Sequence, residues 1–482
     1  MVQNENGNIQ ILTLNANPLQ EEQDSLQILD ARVSNTFTLD LCMMPNLQRL
    51  FLINYKIEEV HISDNCINDS RMNDDHPHSL RFLYLDRNSI GDVTFLRKLP
   101  RLERLSLSHN KVQTVDWGHS DQHNRLQYIS LSRNQLQILE NFTQLDVLSH
   151  INVSYNQIRM VKKYAFQGST NLTHLDIRGN YLMMIPDLSS FPRLFYLDLS
   201  GNLLERNPIH QLPSEYFTNL AYLHLSHSNP MTLSYSLTVK STSLLVLSMT
   251  NIPMFHKFSE NITFDLPTLD ILFLSDNGII NLPKITAPDL DSLVLSNNEI
   301  KFLIQEVFQG IPRIRYIDLS SNHIRSIPPD TFASSIYIGE LNLENNQIHH
   351  ISESAFINQR GGFILRLGNN HLVSILPSSL PVLSRTVYLD PNPWNCDCES
   401  TSIKRWLLLS GVNLYQCMNP LYLRNMSLVS LNETDLCHDE YGDFKSTVTQ
   451  TSLSMSSGVN RILCSYCLKL TWALLLSSYL YL

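Results

Sequence analysis

Residues 194–204 read Leu-Phe-Tyr-Leu-Asp-Leu-Ser-Gly-Asn-Leu-Leu, and the pattern in this stretch decides the fold. Its form is L-x-x-L-x-L-x-x-N-x-L, where L is an aliphatic residue. The pattern recurs along the chain with its Asn at Asn17, Asn88, Asn110, Asn134, Asn156, Asn180, Asn202, Asn277, Asn298, Asn322, Asn346, Asn370 and Asn392. Four further copies have Ser34, Tyr55, Ser228 or Ile252 at that position. About 17 copies at a mean spacing of about 23 residues indicate a repeat protein.

Each copy predicts one coil of a solenoid. The L-x-L alternation is typical of a short strand whose alternate residues point inward. Stacked coils then form a parallel sheet, and one leucine-lined core runs along the stack. We expect each Asn to bond backbone groups of neighbouring coils that would otherwise be buried without partners. The sequence therefore predicts an α/β repeat solenoid, a leucine-rich-repeat horseshoe whose concave side is a parallel β-sheet.

Two further features fit the same period. Phe166, Phe308, Phe332 and Phe356 each follow a repeat Asn by ten residues, and we expect them to stack inside the convex side. The period fails between Tyr55 and Asn88, where a polar segment reads as a surface loop, and across residues 220–254, where the spacing lengthens. Asp74, Asp75, His76 and His78 cluster in this loop, but nothing in the pattern fixes a metal geometry, so we predict no metal site.

The repeats end in the motif Asn-Pro-Trp-Asn-Cys-Asp-Cys at residues 392–398, followed by two spaced cysteines. This motif resembles the cysteine-rich C-terminal cap of extracellular leucine-rich-repeat proteins. The resemblance implies the disulfides Cys396–Cys417 and Cys398–Cys437, which are typical of an oxidising compartment. A zinc site is the alternative, but no His pair follows at zinc spacing. We assign the repeats to residues 1–390 and the cap to residues 391–438.

A third disulfide, Cys42–Cys66, is our tentative assignment. The two cysteines fall eight and eleven residues after the Asn positions of adjacent repeats, and adjacent coils lie about 4.8 Å apart. The alternative is a pair of buried thiols.

The two ends of the chain carry separate predictions. The start is polar and lacks both a signal-peptide apolar region and an N-terminal cysteine cap. We interpret Met1 as an internal methionine of a longer product. Residues 439–460 read as a Ser/Thr-rich stalk, and residues 461–482 as a hydrophobic anchor signal. Small residues before an apolar tail are typical of a glycosylphosphatidylinositol (GPI) signal, with Ser456 as the attachment site and Ser457 or Gly458 as alternatives. A transmembrane helix over residues 462–482 is the rival interpretation.

N-glycosylation sequons permit a glycoprotein without arguing for one. The candidate sites are Asn68, Asn141, Asn171, Asn261, Asn425 and Asn432. A seventh sequon, at Asn152, falls on a predicted strand and is the least suited to carry a glycan.

The repeat register predicts a protein-binding face. Side chains six and four residues before each Asn should point outward on the concave side, and exposed aromatic residues are common anchors of protein interfaces. The residues we single out are Tyr84, Tyr128, His174, Asp176, Tyr196, Asp198, Tyr222, His224 and Tyr316.

Composition and motifs exclude other functions. The net charge of −10 argues against binding nucleic acid through phosphate neutralisation. No catalytic motif or cofactor fingerprint is present, so we predict a non-enzymatic protein without cofactor.

The chain is similar to GPI-anchored adhesion proteins of the chaoptin and connectin type. That resemblance implies cell adhesion at the outer surface of the plasma membrane. It also implies a protein ligand, and a second copy of the same chain is one such ligand. The alternatives are an innate-immune recognition ectodomain or decoy similar to Toll-like receptors, and a soluble secreted carrier.

Overall fold

The computed structural model describes most of the repeats and the cap. The described residues are 2–3, 9–15, 38–41, 47–62, 80–117, 123–143, 145–187, 191–204, 218–228, 237–252, 262–359, 363–381, 384–410 and 415–437. Cys42, Cys66, Asn68, Asn261 and the anchor region with Ser456, Ser457 and Gly458 lie outside them, so the predictions on those residues stay predictions.

The architecture is a solenoid built on one 17-stranded sheet. Val2–Gln3 pairs antiparallel with Ile9–Asn15, and the other pairings in this sheet are parallel. In spatial order the strands are Val2–Gln3, Ile9–Asn15, Arg49–Ile53, Phe82–Tyr84, Arg104–Ser106, Tyr128–Ser130, His150–Asn152, His174–Asp176, Tyr196–Asp198, Tyr222–His224, Val246–Ser248, Ile271–Phe273, Ser292–Val294, Tyr316–Asp318, Glu340–Asn342, Phe363–Arg366 and Ser384–Tyr388. The leucine-rich-repeat horseshoe predicted from the sequence is confirmed.

Ile9–Asn15 pairs directly with Arg49–Ile53, and the repeat copy at Ser34 lies outside the described residues, so its place in the sheet stays a prediction.

The core is a column of aliphatic side chains from the repeat positions. In the Asn202 coil (each coil is named by the residue at its Asn position) Leu197, Leu199 and Leu204 are fully buried. Their strand partners continue the column, since Leu175 lies beside Leu197 and Leu197 beside Leu223. Complete burial of one such side chain contributes about 1.5–3 kcal/mol. Each coil therefore depends on its two neighbours for its stability.

The convex side carries short elements and the aromatic residues predicted from their spacing. Phe308, Phe332 and Phe356 stack with ring centroids 4.7 and 5.8 Å apart, and Phe166 packs on Phe142 at 5.4 Å. The small parallel sheets are Thr38–Asp40 with Glu59–His61, Ile138–Leu139 with Met160–Val161, Leu237–Lys240 with Ile262–Asp265 and Lys284–Thr286, and Ser326–Ile327 with His350–Ile351. Helical turns are Thr94–Lys98, Gln305–Gln309 and Pro377–Ser379.

The C-terminal cap covers the open end of the core. Its helical segments are Cys398–Ser400, Thr401–Ser410, Leu421–Leu423, Leu428–Ser430 and Glu433–Leu436. Trp394 is fully buried, stacks on Tyr415 at 4.3 Å and donates a 2.8 Å hydrogen bond from Nε1 to Asp390. The disulfides Cys396–Cys417 and Cys398–Cys437 are present, with Cα–Cα distances of 5.6 and 4.5 Å. The two cross-links join the end of the last coil to the cap.

Across the described residues, the helices are too short or too polar to cross a membrane.

Candidate protein-binding face

The ladder of asparagines fixes which side chains face outward. The Nδ2 of Asn180 donates to the carbonyls of Ile177 and Val153 at 2.9 and 3.1 Å, and its Oδ1 accepts from the backbone N–H of Ile158 at 2.9 Å. The same pattern repeats in the neighbouring coils. Because each Asn ties the exit of its strand to the preceding coil, successive strands stay in register. The outward positions therefore line up as columns across the sheet.

The column six residues before each Asn holds a row of rings. Tyr128, His150, His174, Tyr196 and Tyr222 follow one another over five consecutive strands. The centroid distances between successive rings are 6.3, 4.1, 5.8 and 6.3 Å. The His150 and His174 rings are nearly parallel, with an interplanar angle of 12°. The sequence analysis singled out Tyr128, His174, Tyr196 and Tyr222 of this row, and we call the five residues of this column the ring row.

The column four residues before each Asn holds a polar cluster beside the ring row. The guanidinium of Arg178 lies 3.3 Å from the Asp176 carboxylate and 3.5 Å from that of Asp198. The hydroxyl of Tyr196 donates to Asp198 at 3.4 Å. The Nε2 of His224 finds no hydrogen-bond partner among the described residues. One arginine therefore holds two carboxylates together.

The structure corrects the expected exposure of several face residues. Asp176 is 1% exposed, and Asp198, His224, Tyr196 and Tyr316 are all buried at 9% or less. Tyr84, Tyr128, His174 and Tyr222 keep partial exposure. The cause is the register, because strands a few ångströms apart press large side chains of one column against each other. The deeply buried members shape the face, and the half-exposed rings are the ones a partner can touch.

Burial also sets the protonation of the face. Burial, followed by the charge of His150, lowers the pKa of His174 to about 4. Burial likewise lowers the pKa values of His150 and His224. For Asp176, burial and the neighbouring Asp198 carboxylate raise the pKa. The three histidines are therefore neutral rings at physiological pH, and the ring row presents an uncharged surface.

Two exposed aromatic residues of the face were missed by the sequence argument. Tyr155 is 47% exposed and lies under the guanidinium of Arg133, whose Cζ is 4.4 Å from the ring centroid. Phe195 is 41% exposed and packs on Tyr222 at 5.3 Å. Tyr155 lies one residue before the Asn of its coil, and Phe195 lies seven residues before the Asn of its coil. The sequence analysis considered only the positions four and six residues before each Asn. A scan of all the outward positions for aromatic residues would have found both.

The sequons that the structure describes lie mainly away from this face. Asn141, Asn425 and Asn432 are exposed, and Asn171 is partly buried. Asn152, on the face itself, is 9% exposed and accepts hydrogen bonds from Ser154, which suits a structural role. Glycans on the four other sites would leave the ring row uncovered.

A second concavity lies on the convex side. It has a volume of about 950 Å³ and is lined by residues that include Met160, Tyr164, Met184 and Lys163. Its lining holds none of the ring row. Among the described residues, no cluster of three His, Cys, Asp or Glu side chains is placed to hold a metal ion.

The fold, the asparagine ladder and the disulfide-closed end define a leucine-rich-repeat solenoid. The leucine rich repeat family model matches residues 78–136, 146–204, 267–324 and 288–335, which are thereby identified as leucine-rich repeats. No enzymatic family is indicated by these matches.

Parts of the chain are similar to known proteins. Trophoblast glycoprotein from Macaca fascicularis is 26% identical over 283 residues, which cover 54% of this chain and 58% of that protein. Human Toll-like receptor 8 is 30% identical over 128 residues, covering 24% of this chain and 12% of the receptor. The solved structure of the Toll–Spatzle complex from Drosophila aligns with a TM-score of 0.50 and 18% identity, covering 82% of this chain and 55% of that chain. At that identity the likeness shows the fold alone. The chain thus spans 12–58% of these proteins.

Proposed function

We propose that this chain is an extracellular recognition protein that mediates cell adhesion through its concave face. The observation that carries the proposal is the ring row, five aromatic or imidazole side chains on consecutive strands of one surface. Aromatic residues are enriched where proteins bind proteins. The neutral state of its histidines favours contact without a large desolvation penalty.

The two cap disulfides support the extracellular part of the proposal. Structural disulfides persist in oxidising compartments and are rare in the cytosol of mesophiles. The partial match to trophoblast glycoprotein is in keeping with such a location.

The test is a cell-mixing assay. Cells that display the full chain are mixed with differently labelled cells that do not display it. Clusters that contain displaying cells, with or without the other cells, support adhesion, and the absence of both kinds of cluster overturns it. We expect the double variant Tyr128→Ala/Tyr222→Ala to reduce clustering about tenfold or more, because truncation of interface anchors costs about 2 kcal/mol or more.

The matched control removes two tyrosines elsewhere. Tyr164→Ala/Tyr337→Ala deletes side chains that are 63% and 56% exposed and lie outside the ring row. We expect this control to cluster like the wild type. Equal loss in both variants would argue against the concave face.

A lipid anchor is the second part of the proposal. The chain would end, after the cap at 391–438 and the stalk at 439–460, in a signal at 461–482 that is exchanged for a GPI anchor at Ser456 or its two neighbours. Phosphatidylinositol-specific phospholipase applied to expressing cells should release the chain into the medium. Retention would instead support a transmembrane helix, and release without the enzyme would support a secreted carrier.

An innate-immune recognition ectodomain or decoy is the second candidate function. It is favoured by the partial match to Toll-like receptor 8. Cell mixing separates the two functions, because an adhesion protein clusters cells and a decoy for a soluble ligand does not.

A further inference from the structure

Charge on the concave face is divided between two ends of the sheet. The four coils from Tyr55 to Asn134 carry five exposed arginines against two partly buried acids. The four coils from Asn277 to Asn346 carry six acids against one arginine, and of these acids Asp291 and Glu340 are buried. The arginines are Arg49, Arg81, Arg87, Arg104 and Arg133, opposed by Asp86 and Glu103. The acids are Asp270, Asp276, Asp291, Asp318, Glu340 and Glu344, opposed by Arg315. We call these coils the basic block and the acidic block.

The two blocks are placed symmetrically about one coil. Strand order puts the basic block three to six coils before the Asn202 coil and the acidic block three to six coils after it. The coils between the blocks are dominated by the ring row and by Val246 and Leu245. Their charged residues, Asp176, Arg178 and Asp198, are largely buried and paired with each other. The face is therefore basic, then aromatic, then acidic, with its centre near Tyr196.

The blocks are too far apart to neutralise each other within one molecule. Parallel strands lie about 4.8 Å apart, so the block centres, nine coils apart, are separated by roughly 43 Å. Charges at the surface are screened over about 8 Å at physiological ionic strength. Local ion pairs reduce the charge in part, as between Arg81 and Glu103, between Arg315 and Asp291, and between Glu340 and Arg366 of the next coil. A partner with the opposite order of charge would complement the remainder.

We propose that the concave face binds a second copy of this chain, turned by a two-fold axis that passes through the Asn202 coil. Such a contact uses the same surface on both copies, so that the basic block of each lies over the acidic block of the other. The ring rows lie on either side of the axis, and the charged blocks form the two ends of the contact. This assignment rests on the proposed recognition role of the face and names its partner.

The size of the face agrees with this proposal. Twelve strand steps and six residues of strand length give a surface of roughly 58 by 20 Å, about 1,200 Å² per copy. Stable interfaces bury about 800 Å² per partner. Of the described sequons, Asn141, Asn171, Asn425 and Asn432 stand outside the positions that form the face. Glycans at these sites would leave it open to the second copy.

The test is sedimentation equilibrium of the purified full chain and two charge-reversed variants. Arg49→Glu/Arg87→Glu/Arg104→Glu makes both blocks acidic, and Asp276→Lys/Asp318→Lys/Glu344→Lys turns the acidic block basic. We expect the wild type to dimerise in 50 mM salt and its dissociation constant to rise about tenfold in 300 mM salt. Each variant alone should be monomeric because like charges face each other. An equimolar mixture of the two variants should form heterodimers, since each then meets the opposite charge.

The control Lys111→Glu/Arg159→Glu/Lys163→Glu reverses three exposed charges outside the face and should dimerise like the wild type. Circular dichroism checks that all the variants are folded. A monomeric wild type, dimerisation that survives either reversal, or a mixture that stays monomeric would each overturn the proposal. Cells that cluster only with non-displaying cells would then still support recognition of a different protein, so the two proposals fail separately.

Discussion

The imidazole rings of His150 and His174 stack at 4.1 Å on adjacent strands of the concave sheet. A proton on either ring would place a positive charge against the other ring, and both rings are largely shielded from water. Burial of the stacked pair, and then the charge of the facing His150, explains why the pKa of His174 falls to about 4.

The stack predicts loss of stability in acid. A histidine with a lowered folded pKa favours the folded state fully above the unfolded pKa of about 6.5, and this contribution is lost as the pH falls towards 4. A shift of this size corresponds to about 3 kcal/mol for a fully buried ring, and we expect about half of that because His174 keeps some solvent contact. His174→Phe keeps an aromatic ring in the stack and removes the titration. Urea unfolding at pH 7 and pH 4.5 should show the wild type losing more stability than the variant, and parallel losses would contradict the assignment.

Arg178 is predicted to be essential to the polar cluster. Its removal leaves Asp176 and Asp198 buried together without a cation, a change that typically costs 3–5 kcal/mol. We expect Arg178→Met to be destabilised by about that amount at pH 7, and by less at pH 5, because a proton shared by the two carboxyls replaces the lost cation. Arg313→Met is the control, since its pair with Asp289 is exposed and should contribute at most about 1 kcal/mol. Equal effects of the two variants in chemical unfolding would refute this prediction.

We predict that truncating one ladder asparagine lowers the free energy of unfolding by a large amount. Asn180→Ala removes bonds to four backbone groups, and each buried group left without a partner costs about 1–3 kcal/mol. We expect a loss of roughly 3 kcal/mol in the free energy of unfolding. Asn124 is exposed and outside the ladder, so Asn124→Ala should change stability by less than about 0.5 kcal/mol. Hydrogen exchange should quicken at Ile158 in the first variant only.

The cap disulfides predict a redox-dependent stability. The Cys396–Cys417 bridge closes a loop of 21 residues and should contribute about 3 kcal/mol on the loop-entropy model. Cys396→Ser/Cys417→Ser should lower the melting temperature, and a reducing agent should produce a similar shift in the wild type. Thiol titration of the native protein should find these four cysteines oxidised. Four reactive thiols would remove the argument for an extracellular location.

The fold could be predicted from the sequence because the residues that specify it recur at a regular spacing. The spacing of Leu197, Leu199 and Asn202, repeated coil after coil, specifies strand, core and turn without long-range knowledge. The aromatic stack of Phe308 and Phe332 followed from spacing alone.

The burial of the face residues was harder to predict from the sequence. Alternation showed that Tyr196 and Asp176 point outward, but not that in-register neighbours would bury them. The burial of Asp198 depends on Arg178 and Tyr196, whose distances no single repeat reveals. The separation of charge between the two blocks was readable from the sequence, once every outward position was compared across coils.

Each ladder asparagine is tied to the coil before it, and this has a mechanical consequence. A load applied at the two ends need not break the whole stack at once, since a terminal coil can detach while the coils behind it stay bonded. Each release would lengthen the chain by about 23 residues, or roughly 80 Å when drawn out. Under tension, a protein built in this way would unfold one coil at a time while the remaining coils stay folded.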